Sequence, residues 1–132
     1  MHAEQKVRLD IIYKMINEEA KKIIEENPVA FATVDKNNKP NVIGVAYVKV
    51  IDKDKILITD NYMKQTKENL ANNKNVCLAV WNKEWYGYKL IGTAEYSNSG
   101  KWLDFAKKMP ENKNLSAKGA IVIKLSNIIK LS

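Results

Sequence analysis

The sequence predicts a mainly β domain: six short antiparallel strands closing, fully or in part, into a barrel with helices at its periphery. Three observations predict it. After Pro28 the apolar period changes from helical spacing to two. The runs that follow are short and bounded by clusters of Asp, Asn, Lys, Pro and Gly. The first connections are too short for parallel crossovers, so neighbouring strands must run antiparallel. The chain has 132 residues, which fits one domain over 1–132. A domain of that size buries roughly two-thirds of the surface its unfolded chain exposes, so it needs no disulfide or structural metal.

Residues 1–27 read as one long helix, in which Val7, Ile11, Ile12, Met15, Ile16, Ile23 and Ile24 recur at helical spacing between Glu and Lys. Pro28 ends it and disfavours the helical state at Asn27. A helix this long is expected to pack on the barrel, to bend, or to lie across a partner subunit. Residues 29–34, 41–50 and 56–59 then read as a meander of three strands, with turns at 35–40 and 52–55. Residues 60–73 break the pattern. They fit a loop opening a short helix with Leu70 facing inward. Residues 75–81 and 88–96 are strands around a polar, aromatic loop. Residues 97–100 read as a turn and helix cap. Residues 101–109 form a helix with Trp102, Phe105, Ala106 and Met109 on one face. Residues 110–118 are a loop, and 119–125 a last strand followed by a short apolar tail through Ile128 and Ile129.

Composition removes many functions. One cysteine excludes an intramolecular disulfide. One histidine, His2, leaves no Ser-His-Asp triad, Cys-His dyad or zinc cluster. Five glycines without a glycine-rich run exclude a P-loop and a dinucleotide fingerprint. No apolar stretch approaches ~18 residues, and no charged-then-apolar leader opens the chain, so a cytoplasmic protein is expected. The net charge is +7. Residues 1–28 hold five basic and six acidic side chains, and residues 29–132 hold 17 and nine. The positive excess therefore lies outside the N-terminal segment. It suits an anionic ligand or a nucleic acid, and equally a solvated lysine-rich surface.

Residues 60–66, Asp-Asn-Tyr-Met-Lys-Gln-Thr, are the most informative stretch. They leave a buried strand and enter a helix, where free backbone N–H groups and the positive dipole end form an anion seat. Lys64 and Thr66 add a charge and a hydroxyl there. An ordinary helix start with a solvated lysine fits the same residues. Trp81, Trp85, Tyr86 and Tyr88 cluster around one loop, to stack on a planar ligand, bury an interface, or pack beneath the loop. Gly44 and Ala46 share strand parity, either for tight packing or for close approach of a flat ring. Cys77, mid-strand, reads as a packed thiol rather than a reactive one. No carboxylate pair is marked for acid–base work, and no metal-ligand spacing occurs.

In this order, the segments FATVDKNNKPNVIGVAYV, LITDNYMKQTKENLANNKNVCLAVW and GYKLIGTAEY resemble the FMN-binding split-barrel superfamily, the pyridoxamine-phosphate-oxidase-like proteins. The resemblance covers about residues 28–125. It implies a six-stranded split barrel and a homodimer with FMN at the subunit interface. It implies a phosphate at the start of the helix after the third strand, on Gln65 and Thr66. Gln65 stands where relatives carry a positive residue, and Lys64 supplies the charge from the adjacent position. The flavin ring is implied along Gly44, Val45, Ala46, Asp60 and Asn61, with the other subunit closing the site from the region of Trp81 to Lys89. Lys49 and Lys89 are candidates for a positive charge near the ring's pyrimidine end, where charge stabilises the reduced anion. No catalytic acid or base is required.

Members of the superfamily also use haem or a deazaflavin, reduce nitro compounds, or only carry electrons. True pyridoxamine-phosphate oxidases carry a further C-terminal segment with basic substrate-binding residues, so that activity is not expected for a chain ending at Ser132. The leading expectation is an FMN-dependent oxidoreductase or flavin electron carrier. Competing readings are a small basic barrel that binds nucleic acid, which needs aromatics interleaved with lysines on one exposed sheet face, and a cofactor-free scaffold.

Overall fold

The computed structural model describes residues 12–131. It is a mainly β fold whose eight strands and three α-helices follow the order β1 (Ile12–Tyr13), α1 (Glu18–Glu26), β2 (Val29–Val34), β3 (Pro40–Val45), β4 (Val48–Asp52), β5 (Lys55–Asp60), α2 (Gln65–Asn72), β6 (Asn75–Trp81), β7 (Gly87–Ser97), α3 (Lys101–Lys108) and β8 (Gly119–Leu131). A short 3₁₀ turn, Pro110–Asn112, follows α3.

Every pairing is antiparallel, in the spatial order β3-β2-β6-β7-β8-β5-β4, with β1 beside β8. β3 and β4 lie at opposite ends of that order, yet only Ala46 and Tyr47 separate them. From Val45 to Val48 the chain takes three steps, which reach roughly 11 Å at most. The sheet therefore has to curl until its ends meet, and the seam between β3 and β4 is where the barrel stays split. The strand expected over 41–50 is thus two strands, and the expected meander is two hairpins, β2–β3 and β4–β5, on either side of the seam. With β1, this raises the strand count from the expected six to eight.

Phe31, Leu78, Leu90, Ile58, Ile121 and Ile123 fill the interior with no more than 1% of their surface exposed. On the outer face of β5 and β8, α3 brings Ala106 and Met109 onto Leu57 and Ala120. That is why the run Ile56-Leu57-Ile58 is apolar on both faces. In α3 the buried residues are Leu103 and Ala106; Phe105 is exposed and meets Trp102 edge to face. Its N-cap is Gly100 at φ 94°, with no side-chain cap bond from the serines before it.

The N-terminal helix is shorter than expected. It covers Glu18–Glu26 rather than 1–27, and the expected apolar positions Val7 and Ile11 lie outside the described residues. Asn17 starts it: the side-chain oxygen accepts from the Ala20 N–H at 2.8 Å, and Glu18 and Glu19 face the positive dipole end. Upstream, Ile12 and Tyr13 pair with Ile129 and Ile128. Their apolar spacing serves a sheet edge, not a helix face. At the other end Asn27 Nδ2 donates to the Ile23 carbonyl at 3.0 Å before Pro28. Ala20, Ile23 and Ile24 bury one face against the barrel, and Glu25 accepts from the Val50 N–H at 2.9 Å.

β8 is long because it changes partner. Residues 119–124 pair with β5, and Ile128 and Ile129 pair with β1. A bulge at Ser126, opposite Ile91 and Gly92, supplies the bend. A Cβ on Gly92 would stand 2.2 Å from the Lys124 carbonyl oxygen, so only glycine fits there. Among the described residues, no helix is long and apolar enough to cross a membrane.

Candidate functional site

At the split seam a cleft of about 390 Å³ opens between β3, the turn after β5, the start of α2 and the segment after α3. Of the residues singled out from the sequence, Gly44, Val45, Ala46, Asn61, Lys64, Gln65 and Thr66 all line it.

Val42 and Gly44 face outward on β3, and the chain bends at Ala46 and Tyr47, both exposed. A Cβ on Gly44 would meet nothing within 4 Å. Tight barrel packing therefore does not explain this glycine. It leaves a strip of bare backbone along one wall of the cleft.

The opposite end is polar. Lys64 is the N-cap of α2 and makes no side-chain cap bond. The N–H groups of Gln65, Thr66 and Lys67 lack intrahelical partners by helix geometry. Thr66 is buried, and its hydroxyl lies 3.5 Å from Asn41 Nδ2 across the cleft floor. Gln65 turns along its own helix: its Nε2 donates to Asn69 Oδ1 at 2.7 Å, and Asn69 Nδ2 donates to Thr33 Oγ1 at 2.9 Å. This chain of amides ties α2 to β2. The positive charge at the helix start comes from Lys64 and the dipole, not from position 65.

Asp60 does not line the cleft. It is 1% exposed, and it builds the turn that does. Its Oδ1 accepts from the Met63 N–H at 2.7 Å, and its Oδ2 accepts from the Tyr96 hydroxyl. Asn61 Nδ2 donates to the Ser116 carbonyl at 3.2 Å.

Trp81 and Lys89 are not brought to the cleft within one chain. Trp81 ends β6 and stacks on Trp85, with ring centroids 5.8 Å apart. Asn82 rigidifies this hairpin tip, its side-chain oxygen accepting from the Glu84 and Tyr86 N–H groups at 3.0 Å each. Trp85 sits at φ 68°, a left-handed conformation costly for a bulky residue, and its ring stays exposed. Tyr88 is buried in the core, so the aromatics sit at a hairpin tip and not along an exposed sheet face. Lys49 lies 3.6 Å from the Glu25 carboxylate.

Several cleft residues were not singled out from the sequence: Tyr47, Met109, Asn112 and Leu115. Asn112 is buried, and its Nδ2 donates to Thr59 Oγ1 at 2.9 Å and to the Ala106 carbonyl at 2.8 Å. It pins the far wall of the cleft to β5. In sequence it is one polar residue in a polar loop, and nothing local distinguishes it. Tyr47 follows a run of alternating residues and carried a weak signal, an aromatic at the edge of a small-residue strip. Among the described residues, no three His, Cys, Asp or Glu side chains come together to hold a metal.

Two tyrosines are held protonated. Burial, then the Glu19 carboxylate, push Tyr88 up to about 12, and burial, then Asp60, push Tyr96 higher still. Both values rise above the ordinary 10.0, so the folded state holds the proton more tightly. Their stabilisation is complete below about pH 10 and is lost as pH climbs through the folded values. An alkaline absorbance titration is expected to show a late tyrosinate step coinciding with loss of near-ultraviolet circular dichroism.

Residues 16–131 match the family model of pyridoxamine 5'-phosphate oxidase. An uncharacterized protein of Methanocaldococcus jannaschii is 37% identical over 120 residues, covering 88% of this chain and 80% of the relative. Among solved structures, HupZ of Group A Streptococcus superposes with a TM-score of 0.83 at 28% identity, covering 89% of this chain and 94% of that one. An FMN-binding protein from Syntrophomonas wolfei shares the fold, with a TM-score of 0.71 at 20% identity over 87% of this chain and 85% of that one.

Proposed function

The chain belongs to the pyridoxamine 5'-phosphate oxidase family, and from that membership we propose that it is a single-domain cytoplasmic flavoprotein that holds FMN in the cleft at the split seam, as an oxidoreductase or electron carrier. One observation carries this reading. A strip of bare backbone at Gly44 lies in the same cleft as the uncapped start of α2 with Lys64 and Thr66. A flat surface and an anion seat side by side suit a ligand with a planar ring at one end and a phosphate at the other.

In this reading Lys64, the Thr66 hydroxyl and the first N–H groups of α2 hold the phosphate. Gly44, Val45 and Ala46 receive the ring against the strand, and Asn61 borders it. Asp60 shapes the turn without touching the ligand. FMN, when bound, supplies one- and two-electron redox chemistry; the residues around it orient it and exclude water. The chain acts as a homodimer in which the rigid β6–β7 tip, with Trp81 and Lys89, closes the cleft of the second subunit. The exposed stack of Trp81 and Trp85 supports this, because large aromatics held rigid in solvent are suited to anchoring an interface.

The test is to add FMN to the purified protein, remove the excess by gel filtration, and record the visible spectrum and elution volume. A flavin band retained on a dimer-sized peak is expected. A colourless protein, or flavin on a monomer, overturns the corresponding part of the proposal. Gly44→Val separates the two ends of the site. With open space around position 44, it should change stability by less than about 1 kcal/mol. Its side chain would occupy the ring wall, so FMN affinity should fall at least about tenfold, or about 1.4 kcal/mol.

A further inference from the structure

Tyr96 lies on β7, 30 or more positions from the turn it supports, and does not line the cleft. Its phenol nevertheless crosses β8 to reach β5. Asp60 pairs with Gly119 on β8, and Tyr96 pairs with Ile121 on the other side of the same strand. The path is open only because residue 119 has no side chain: a Cβ there would stand 2.2 Å from the Tyr96 hydroxyl oxygen. The hydroxyl then donates to Asp60 Oδ2, whose other oxygen holds the Met63 N–H inside the cleft-lining turn. The Asp60 carbonyl accepts from the Lys118 N–H at 2.8 Å, closing the turn from the far side. The ring has a second contact. Lys67, in the first turn of α2, places its Nζ 5.2 Å from the ring centroid. One side chain thus braces both the turn before α2 and the helix itself.

We propose that Tyr96 is a positioning residue for the anion seat: through Asp60 and Lys67 it holds residues 61–64 and the first turn of α2 in the geometry that receives a phosphate. This rests on the FMN reading of the cleft. The phenol remains a donor over the whole working pH range, so it acts as a fixed brace. A buried carboxylate that lost its donor would turn toward another partner or toward water, and would take the Met63 N–H and the turn with it. Helix N-terminal donors act over one turn, so a small rotation of α2 is felt first by the phosphate and little by the ring.

The experiment compares FMN with riboflavin, which lacks the phosphate, on the full chain and on Tyr96→Phe. Tyr96→Phe is expected to weaken FMN about tenfold and to leave riboflavin affinity within about twofold. An unchanged ratio of the two affinities, whether both hold or both fall together, overturns the proposal. Gly119→Ala, which drives the phenol off Asp60, should reproduce the loss with Tyr96 intact. Where Tyr96→Phe is too unstable to purify, Asp60→Asn gives the same comparison. Hydrogen exchange supplies a readout that does not need FMN: amides of residues 61–67 should exchange faster in Tyr96→Phe while those of residues 119–125 keep their protection. Unchanged exchange at 61–67 refutes the brace even if the wild-type chain binds no flavin. Conversely, wild-type protein that binds neither flavin while the variant loosens 61–67 refutes the FMN reading and leaves the brace standing.

Discussion

Replacing Lys64 and Thr66 together by alanine is expected to weaken FMN binding by about 2–4 kcal/mol, the scale of losing one charge-assisted and one buried phosphate hydrogen bond. Lys64 is exposed at the N-cap of α2, and Thr66 is 2% exposed on the floor of the cleft. They differ in what they provide. The lysine gives a cation that salt can screen, and the threonine gives a donor that water cannot replace. The backbone N–H groups of α2 survive the substitutions, so binding should be weakened and not abolished. Because Gln65 is turned along the helix to Asn69, it cannot compensate for the lost charge. Isothermal titration of FMN and riboflavin, beside a thermal melt, checks the result. Unchanged FMN affinity in a folded double variant would remove both residues from the site.

Phe31→Ala is expected to cost about 3–5 kcal/mol of folding stability. That is a large share of the roughly 5–15 kcal/mol that holds a domain together. Phe31 is fully buried and sits in β2 between Ile43 and Leu78. Ladders on both sides of the strand keep it from collapsing into the space the ring leaves, so the cavity term stays large. Denaturant unfolding should show a lower midpoint with the slope kept. A loss below about 1 kcal/mol would mean that the interior rearranges more freely than a closed ladder permits. The interior face of β2 runs Val29, Phe31, Thr33, and Thr33 is the acceptor that receives the amide chain from α2. Loss of the ring is therefore expected to loosen the cleft as well as the barrel.

The local chemistry of this chain was legible in its sequence. Pro28 stops a helix, the period of two that follows makes strands, and Leu70 turns inward on a short helix, all because propensity and periodicity act over a few neighbours. The same local reading brought together seven residues that do share one cleft, since they fall in two short segments of the chain, residues 44–46 and 61–66. It failed where two structures satisfy one pattern. Ile12, Met15 and Ile16 fit a helix face, but Ile12 and Tyr13 pair with β8, and the cap that starts the helix is Asn17. The run 41–50 fits one strand, but its halves serve opposite edges of the sheet.

What only the tertiary structure decided is partner choice. An apolar face states that it must be covered and not by what, because burial has no direction and closing a longer loop adds little entropy cost. Barrel closure chose β6 and β8 as the neighbours of β2 and β5, and so set the seam where the cleft opens. The same closure brought Asn112 to Thr59 and Tyr96 to Asp60, 53 and 36 residues apart. Hydrogen bonds across such separations leave no periodic trace in a chain, and here they shape the walls of the cleft.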